Sequence, residues 1–268
     1  MQHFEKVIGD NKLLYAWFLA MHTRVDVLLV NENSNDDLLA IATLIQQEIE
    51  RFDRIANRFD ENSELAQLNT SAFNSPVSVS DELFQLIKAC LLYHASTLGL
   101  FDITIHSSNG FQNGIESIVL DEVAKTIRFA HPDVKLDLSG FVKGYVLRNV
   151  RQLLSDAAIN NALINVGNSS VLALGNHPLG KGWVVDTASQ SFILFNQCLT
   201  TSGNTSATKW PILHPTNREF NSVNQQLSVV SDDPALGEVL SKALYVASVD
   251  QQELVLANFD ASVKWAFS

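Results

Sequence analysis

The sequence predicts an α+β fold, and three observations carry that reading. Apolar, β-rich runs follow one another across short turns. Helical periods come as inserts among those runs rather than in the strict strand–helix alternation of a parallel sheet. No internal repeat, low-complexity tract or linker divides the chain, so residues 1–268 are expected to form one unit.

The elements follow in order. Leu13 to Met21 is the longest apolar run near the start and reads as a buried strand. Tyr15–Leu19 and Val25–Val30 are two strands, or one bent strand, around Met21-His22-Thr23. Asn35–Arg54 is a helix, with Asn35 or Asp36 as cap and Leu39, Ile41, Ala42, Ile45, Ile49 and Phe52 on a helical period. Asp81–Leu98 is a second helix capped by Ser80, with His94 on its core face, where a satisfied core or boundary histidine is the commoner role. Ser117–Leu120 and Thr126–Phe129 flank an acidic turn and read as a hairpin. Leu136–Leu138 is a short strand running into Ser139-Gly140, and Lys143–Ala158 is the third helix. Ala162–Val166 and Val171–Leu174 are strands around Gly167-Asn168, and Trp183–Asp186 with Ser191–Leu194 makes another hairpin. Leu227–Val230 is a strand, Gly237–Val246 a fourth helix, and Glu253–Phe267 closes the chain.

Composition narrows the function classes. Hydrophobic residues are 46% and charged residues 18%, which argues against long disordered segments. With 29 acidic against 18 basic residues the formal charge is −11, so the chain repels phosphate backbones at long range and nucleic acid is not an expected partner. Cys90 and Cys198 stand in unlike contexts, giving neither a disulfide framework nor a CxxC pair. No window reaches the ~18 apolar residues of a membrane span. Glu5 and Asp10 offset Lys6 and Lys12, so a signal peptide's basic leading region is missing; the chain as written reads as cytoplasmic, or as exported or periplasmic if a signal was removed upstream.

Four local features stand out: Asn57–Asp60 with Ser63 to Asn69; Phe101–Thr104; Asp137–Tyr145; and Thr200–Gly203. Each has a plain reading. The first is a polar loop leaving a helix, the second a capped turn, and the fourth a small-residue turn after a strand. The third places two glycines and a lysine at a strand-to-helix junction, where helix amides can hold a phosphate, although the P-loop spacing is absent. There is no GxSxG elbow, no paired histidines at zinc spacing and no GxGxxG after the first strand.

Their order resembles that of the FAD:protein FMN transferase family (ApbE). Met21-His22-Thr23 is similar to the family's Met-Gly-Thr junction, Arg58 to Asn69 to its RFD–SEL–LN block, and Leu98 to Thr104 to its GG-x-FD-x-T block. Asp137 to Arg148 looks like DLGxxAKGYAxD, Asn165 to Asn168 like N-x-GG, Thr201 to Gly203 like TSG, and Gly237 to Leu244 like the late AD-x-L-x-T-AL helix. The likeness runs from about residue 15 to 250. It implies a bilobal fold of antiparallel sheets with packed helices and FAD in a cleft between lobes. It also implies transfer of FMN from FAD to a threonine of an acceptor flavoprotein, AMP leaving, with Mg²⁺ on the pyrophosphate.

Carried across, the resemblance places Met21, Phe59, Leu100, Phe101, Asp102, Lys143, Val146 and Leu213 at the flavin site, and Gly140 and Glu238 at the metal. Departures from the family pattern cluster there. Lys242 stands where the family has a threonine ligand, and an ammonium has no lone pair to donate. The family's histidine falls on Pro211, and His214 takes the place of an aspartate. His214 and Lys242 are the candidate catalytic residues, Lys242 as a fixed positive charge on the pyrophosphate. The alternatives are a flavin- or nucleotide-binding relative impaired in catalysis for want of the Mg²⁺ site, and a scaffold that binds a protein partner and no flavin. Ser202 to Thr208 also spells a sequence similar to the family's acceptor motif.

Overall fold

The computed structural model describes residues 1–31, 37–188, 190–203, 212–219, 225–259 and 263–267. The chain opens with β1 (Gln2–Ile8), β2 (Asn11–Ala20) and β3 (Thr23–Asn31), then α1 (Leu38–Ala56) and α2 (Glu64–Ser71). Next come β4 (Val77–Ser78), α3 (Asp81–Ser96), β5 (Ile118–Asp121), β6 (Thr126–Phe129) and α4 (Val142–Asp156). Strands β7 (Asn161–Val166), β8 (Ser170–Leu174), β9 (Trp183–Asp186), β10 (Ser191–Leu194), β11 (Gln197–Gly203) and β12 (Gln226–Ser231) follow. The chain ends with α5 (Pro234–Val246), α6 (Val249–Leu256) and β13 (Lys264–Phe267).

The main sheet has the order β1-β2-β3-β7-β8-β11-β12-β13, with antiparallel neighbours throughout. Its strands alternate, so each face is apolar where something covers it. One face meets α1, α4 and α5 in a core that includes Leu14, Val27, Ile45, Ile49, Val146, Leu147, Val239 and Leu240. On the other face Leu13, Val30, Val171 and Leu199 are covered by the β9–β10 hairpin through Trp183 and Leu194. The smaller sheet, β4-β6-β5, lies beside α2 and α3: the Phe129 amide donates to the Ala72 carbonyl at 2.8 Å, and the Lys125 ammonium lies 4.7 Å from the Phe84 ring centre. Among the described residues no helix is long and apolar enough to cross a membrane.

Several boundaries differ from the sequence expectation, each for a local reason. Helix α1 starts at Leu38, where the Asp37 side chain accepts from the Ala40 amide; Asn35 and Asp36 lie outside the described residues. The segment read as a polar loop contains α2, because Ser63 caps it and Leu65 and Leu68 bury. Thr201-Ser202-Gly203 is the end of strand β11 and not a turn, since β12 pairs with it through Gly203. Leu136–Leu138 joins no sheet. The Asn69 carboxamide takes both backbone groups of Leu136, accepting from its amide at 2.8 Å and donating to its carbonyl at 2.9 Å, so a side chain does the work of a partner strand.

Candidate active site

The loop Asp137–Gly140 leads into helix α4. That loop is tied down on three sides. The Asp137 amide donates to the Ile103 carbonyl at 2.7 Å, its Oδ1 accepts from the Ser139 amide at 2.9 Å, and its Oδ2 lies 3.1 Å from Arg58 Nε and 3.6 Å from His106 Nε2. The three sequence blocks containing Arg58, Phe101–Thr104 and Gly140 therefore meet at one place.

Two cavities open on either side of Ser139. The first, of about 290 Å³, is lined by Leu100, Phe101, Asp102, His106, Asp137, Gly140, Leu213 and Lys242, among others. The second, of about 240 Å³, is lined by Met21, His22, Phe52, Asp53, Arg58, Phe59, Val142 and Lys143, among others. Met21 and His22 are the two residues of the β2–β3 turn. Both have positive φ (50° and 56°), as a two-residue hairpin requires, although neither is glycine. The Asp53 carboxylate holds the turn by accepting from the Met21 amide at 3.0 Å. Phe59 is 64% exposed, with the Arg58 guanidinium 4.5 Å from its ring centre, so an apolar face and a cation stand side by side at this mouth. The Lys143 ammonium donates to Ser169 Oγ from the first turn of α4.

The expected flavin residues thus divide between two adjoining hollows: Met21, Phe59 and Lys143 in one, Leu100, Phe101, Asp102 and Leu213 in the other. Val146 lines neither, being fully buried in the core face of α4. His214 lines neither as well; its Nδ1 accepts from the Thr216 amide at 3.2 Å, within its own turn. Pro211 lies outside the described residues. His94 is satisfied, with Nδ1 2.8 Å from the Phe101 carbonyl.

The expected metal position tests the donor chemistry directly. Glu238 is 2% exposed. Its Oε1 accepts from Ser170 Oγ and its Oε2 accepts from the Lys242 ammonium at 2.5 Å, an i,i+4 pair on α5. The same ammonium donates to the Glu238 carbonyl at 3.1 Å. A Cβ placed on Gly140 would sit 3.0 Å from Lys242 Cε, so the lysine stem fills the space beside Gly140. Both carboxylate oxygens are engaged, and a cation stands where a neutral oxygen ligand would be needed. These residues do not fit Mg²⁺. Among the described residues no group of three or more His, Cys, Asp or Glu could hold a metal.

Two further contacts set α4 against α5. Gly144 is the closest approach: a Cβ there would lie 2.2 Å from the Pro234 carbonyl oxygen and 2.6 Å from Glu238 Cγ. Arg148, which departs from the aspartate of the similar motif, pairs with Asp233 through Nε at 2.6 Å and through Nη2, and Nη2 also donates to Tyr93 Oη at 2.8 Å. Asp233 is the N-cap of α5, so Arg148 fixes the helix that carries Glu238 and Lys242.

His106 is the functional candidate that the sequence did not single out. A lone histidine after Thr104 gives no spacing signal; only its place in the first cavity does. Burial lowers its pKa, Asp137 raises it in part, and Arg58 and Arg218 lower it further, so the ring is neutral near pH 7.

A family model described as the ApbE family matches residues 21–110 and 108–265. The chain belongs to the ApbE family. Its curated ApbE relatives include an FAD:protein FMN transferase of Chlamydia muridarum, 27% identical over 183 residues, an alignment that spans 60% of this chain but only 57% of that protein's length. Those of Chlamydia trachomatis and Klebsiella pneumoniae are 25% and 24% identical, over 80% and 84% of this chain and 79% and 80% of their own. The ApbE fold is shared with the flavin transferase ApbE of Vibrio cholerae (TM-score 0.80, 18% identity, 96% of this chain and 97% of that one). It is shared equally with the apo flavinyl transferase ApbE of Pseudomonas stutzeri (TM-score 0.82, 16% identity, 97% and 94%).

Proposed function

We propose that this protein transfers FMN from FAD to a threonine hydroxyl of an acceptor flavoprotein, and that Lys143 and the positive end of the α4 dipole supply charge at the reacting phosphates, the Glu238–Lys242 pair being neutral. The observation that carries the reading is the Ser139–Gly140 junction: two adjoining cavities, one with an exposed aromatic face and Lys143, the other with Lys242, meet at the start of α4. An elongated dinucleotide needs two such hollows with its charged middle between them. Lys143 stands in the first turn of α4 at this junction, where the helix dipole favours an anion.

FAD is the substrate in this reading. The acceptor oxygen bonds to the FMN phosphorus, the bond from that phosphorus to the bridging oxygen breaks, and AMP departs. Phosphoryl transfer of this kind asks the protein for position and charge more than for covalent chemistry. Phe59 and Met21 offer the flavin an apolar surface, Lys143 anchors phosphate, and the Arg58–Asp137 pair holds the junction loop. Because the residues around Glu238 do not fit Mg²⁺, no step is routed through a metal. The test is flavin fluorescence carried covalently by an acceptor peptide after incubation with FAD, in chelator and in added Mg²⁺. Equal labelling in both is expected. FAD binding with no labelling in either condition would leave a nucleotide-binding relative instead.

A further inference from the structure

Transfer to a hydroxyl leaves a proton to be removed. Neither family-like position provides for it. The position matching the family's histidine is Pro211 in the sequence, and His214 spends Nδ1 on the Thr216 amide outside both cavities. The titratable side chains that line the first cavity among the described residues are Asp102, His106, Asp137 and Lys242. Asp102 Oδ1 accepts two hydrogen bonds from Thr104, from the amide and the hydroxyl, both at 2.7 Å. Asp137 Oδ2 is paired with Arg58. Lys242 is a cation bound to Glu238. That leaves His106. Its side chain is 33% exposed, and the carboxylate of Asp137 lies 3.6 Å from its Nε2. A carboxylate beside one ring nitrogen favours the proton there and leaves the other nitrogen as the acceptor.

We propose that His106 is the base of the transfer: its ring takes the proton of the acceptor hydroxyl as that oxygen bonds to the FMN phosphorus, while the phosphorus–bridging-oxygen bond breaks and AMP leaves with its electron pair. The proton then passes from His106 to solvent. This rests on the transferase reading above. Asp137 acts as a positioning residue, its nearby carboxylate favouring the tautomer with the proton on Nε2. The charged groups that face the ring are Asp137, Arg58 and Arg218. Arg218 donates to the carbonyls of Ile105 and Phe111 on the flanking backbone, which brings its charge close. Burial and the two arginines together outweigh Asp137, so the ring stays an acceptor at neutral pH.

The experiment compares the whole chain with His106→Gln, His106→Ala and Asp137→Asn, in single-turnover transfer to a Ser-Gly-Asn-Thr-Ser-Ala-Thr peptide, with FAD affinity measured in parallel. His106→Gln is expected to lose about 10²- to 10⁴-fold in rate while FAD affinity is unchanged, which also shows that the variant is folded. Added imidazole is expected to restore part of the rate of His106→Ala. The wild-type rate should fall in acid, with its midpoint below the ordinary histidine value of 6.5. Asp137→Asn should move that midpoint lower still, because it removes the group that raises it. A wild-type chain that transfers FMN, together with a His106→Gln variant of equal rate and equal pH profile, overturns the proposal and leaves the transferase reading standing. A wild-type chain that binds FAD and labels no peptide overturns both.

Discussion

Replacing Lys242 with threonine would remove one partner of a nearly buried ion pair. Glu238 is 2% exposed and Lys242 23%, so the carboxylate would be left without its counter-ion in a shielded place. Breaking a buried pair in this way costs about 3–5 kcal/mol. The lysine retains some solvent and Ser170 Oγ still donates to Glu238, so about 2–3 kcal/mol is the figure for this site. At about 2–4 °C per kcal/mol for chains near this size, melting should fall by roughly 5–10 °C. The same substitution opens the space beside Gly140 and supplies a neutral oxygen four residues from the carboxylate. Mg²⁺ should then bind the variant and recover stability. Mass action gives about 2.7 kcal/mol at a hundredfold excess over Kd, comparable with the loss. Thermal unfolding of parent and Lys242→Thr, each with and without Mg²⁺, tests this, with calorimetry for the ion itself. Adding Glu238→Asp should strengthen the effect. A parent protein that binds Mg²⁺ tightly, or a variant that melts like the parent and ignores Mg²⁺, would refute the reasoning.

Gly144→Ala should destabilise the fold by about 1–3 kcal/mol, because its Cβ would press on the Pro234 carbonyl and on Glu238; unfolding in urea at an unchanged midpoint would show that the two helices can part without cost. Lys143→Met should weaken FAD binding by about tenfold and reduce its salt dependence, read from quenching of flavin fluorescence, since one charge-assisted contact to phosphate is removed. Glu48 has its pKa lowered chiefly by the hydrogen bond from Arg51, opposed by burial and helped by Asn149. Its stabilising contribution is therefore complete above the ordinary value of 4.5 and is lost as pH falls through the lower folded value. Glu48→Gln should cost about 1 kcal/mol at neutral pH and little in strong acid, measured by denaturant unfolding across that range.

What the sequence disclosed depended on whether a local pattern also carried the packing. Helix α1 was legible because Ala42, Ile45, Ile49 and Phe52 repeat at helical spacing and all bury. Strand β1 was not, because its side chains are almost all exposed and its pairing with β2 follows from backbone groups that leave no hydrophobic signature. Helix α2 was hidden by its shortness; Ser63 followed by Glu64 was the available signal. At the site, glycines and charged residues in fixed order marked the junction loop, since close approach at Gly140 and Gly144 restricts residue type. His106 carried no such mark, because a histidine becomes a candidate base only when folding sets it beside Asp137 in a cavity.

The electrostatics of the two departures fit together. A magnesium ion held by one carboxylate and one neutral hydroxyl would leave a single net positive charge at this point, whereas the Glu238–Lys242 pair is neutral. A pyrophosphate bound here must find the missing charge elsewhere, in a chain whose formal charge is −11. The groups able to supply it are Lys143 and the positive end of the α4 dipole, at the same junction, and Arg58 with its charge partly spent on Asp137. The lower positive charge also affects the proton. A metal beside the reacting phosphates would help the acceptor hydroxyl to ionise, and a neutral pair does so less. The hydroxyl then depends more on a neighbouring base. A neutral imidazole in the same cavity as Lys242 fills that need, kept neutral first by burial and then by Arg58 and Arg218. Replacement of the metal pair and recruitment of His106 are on this view one change in how the site handles charge.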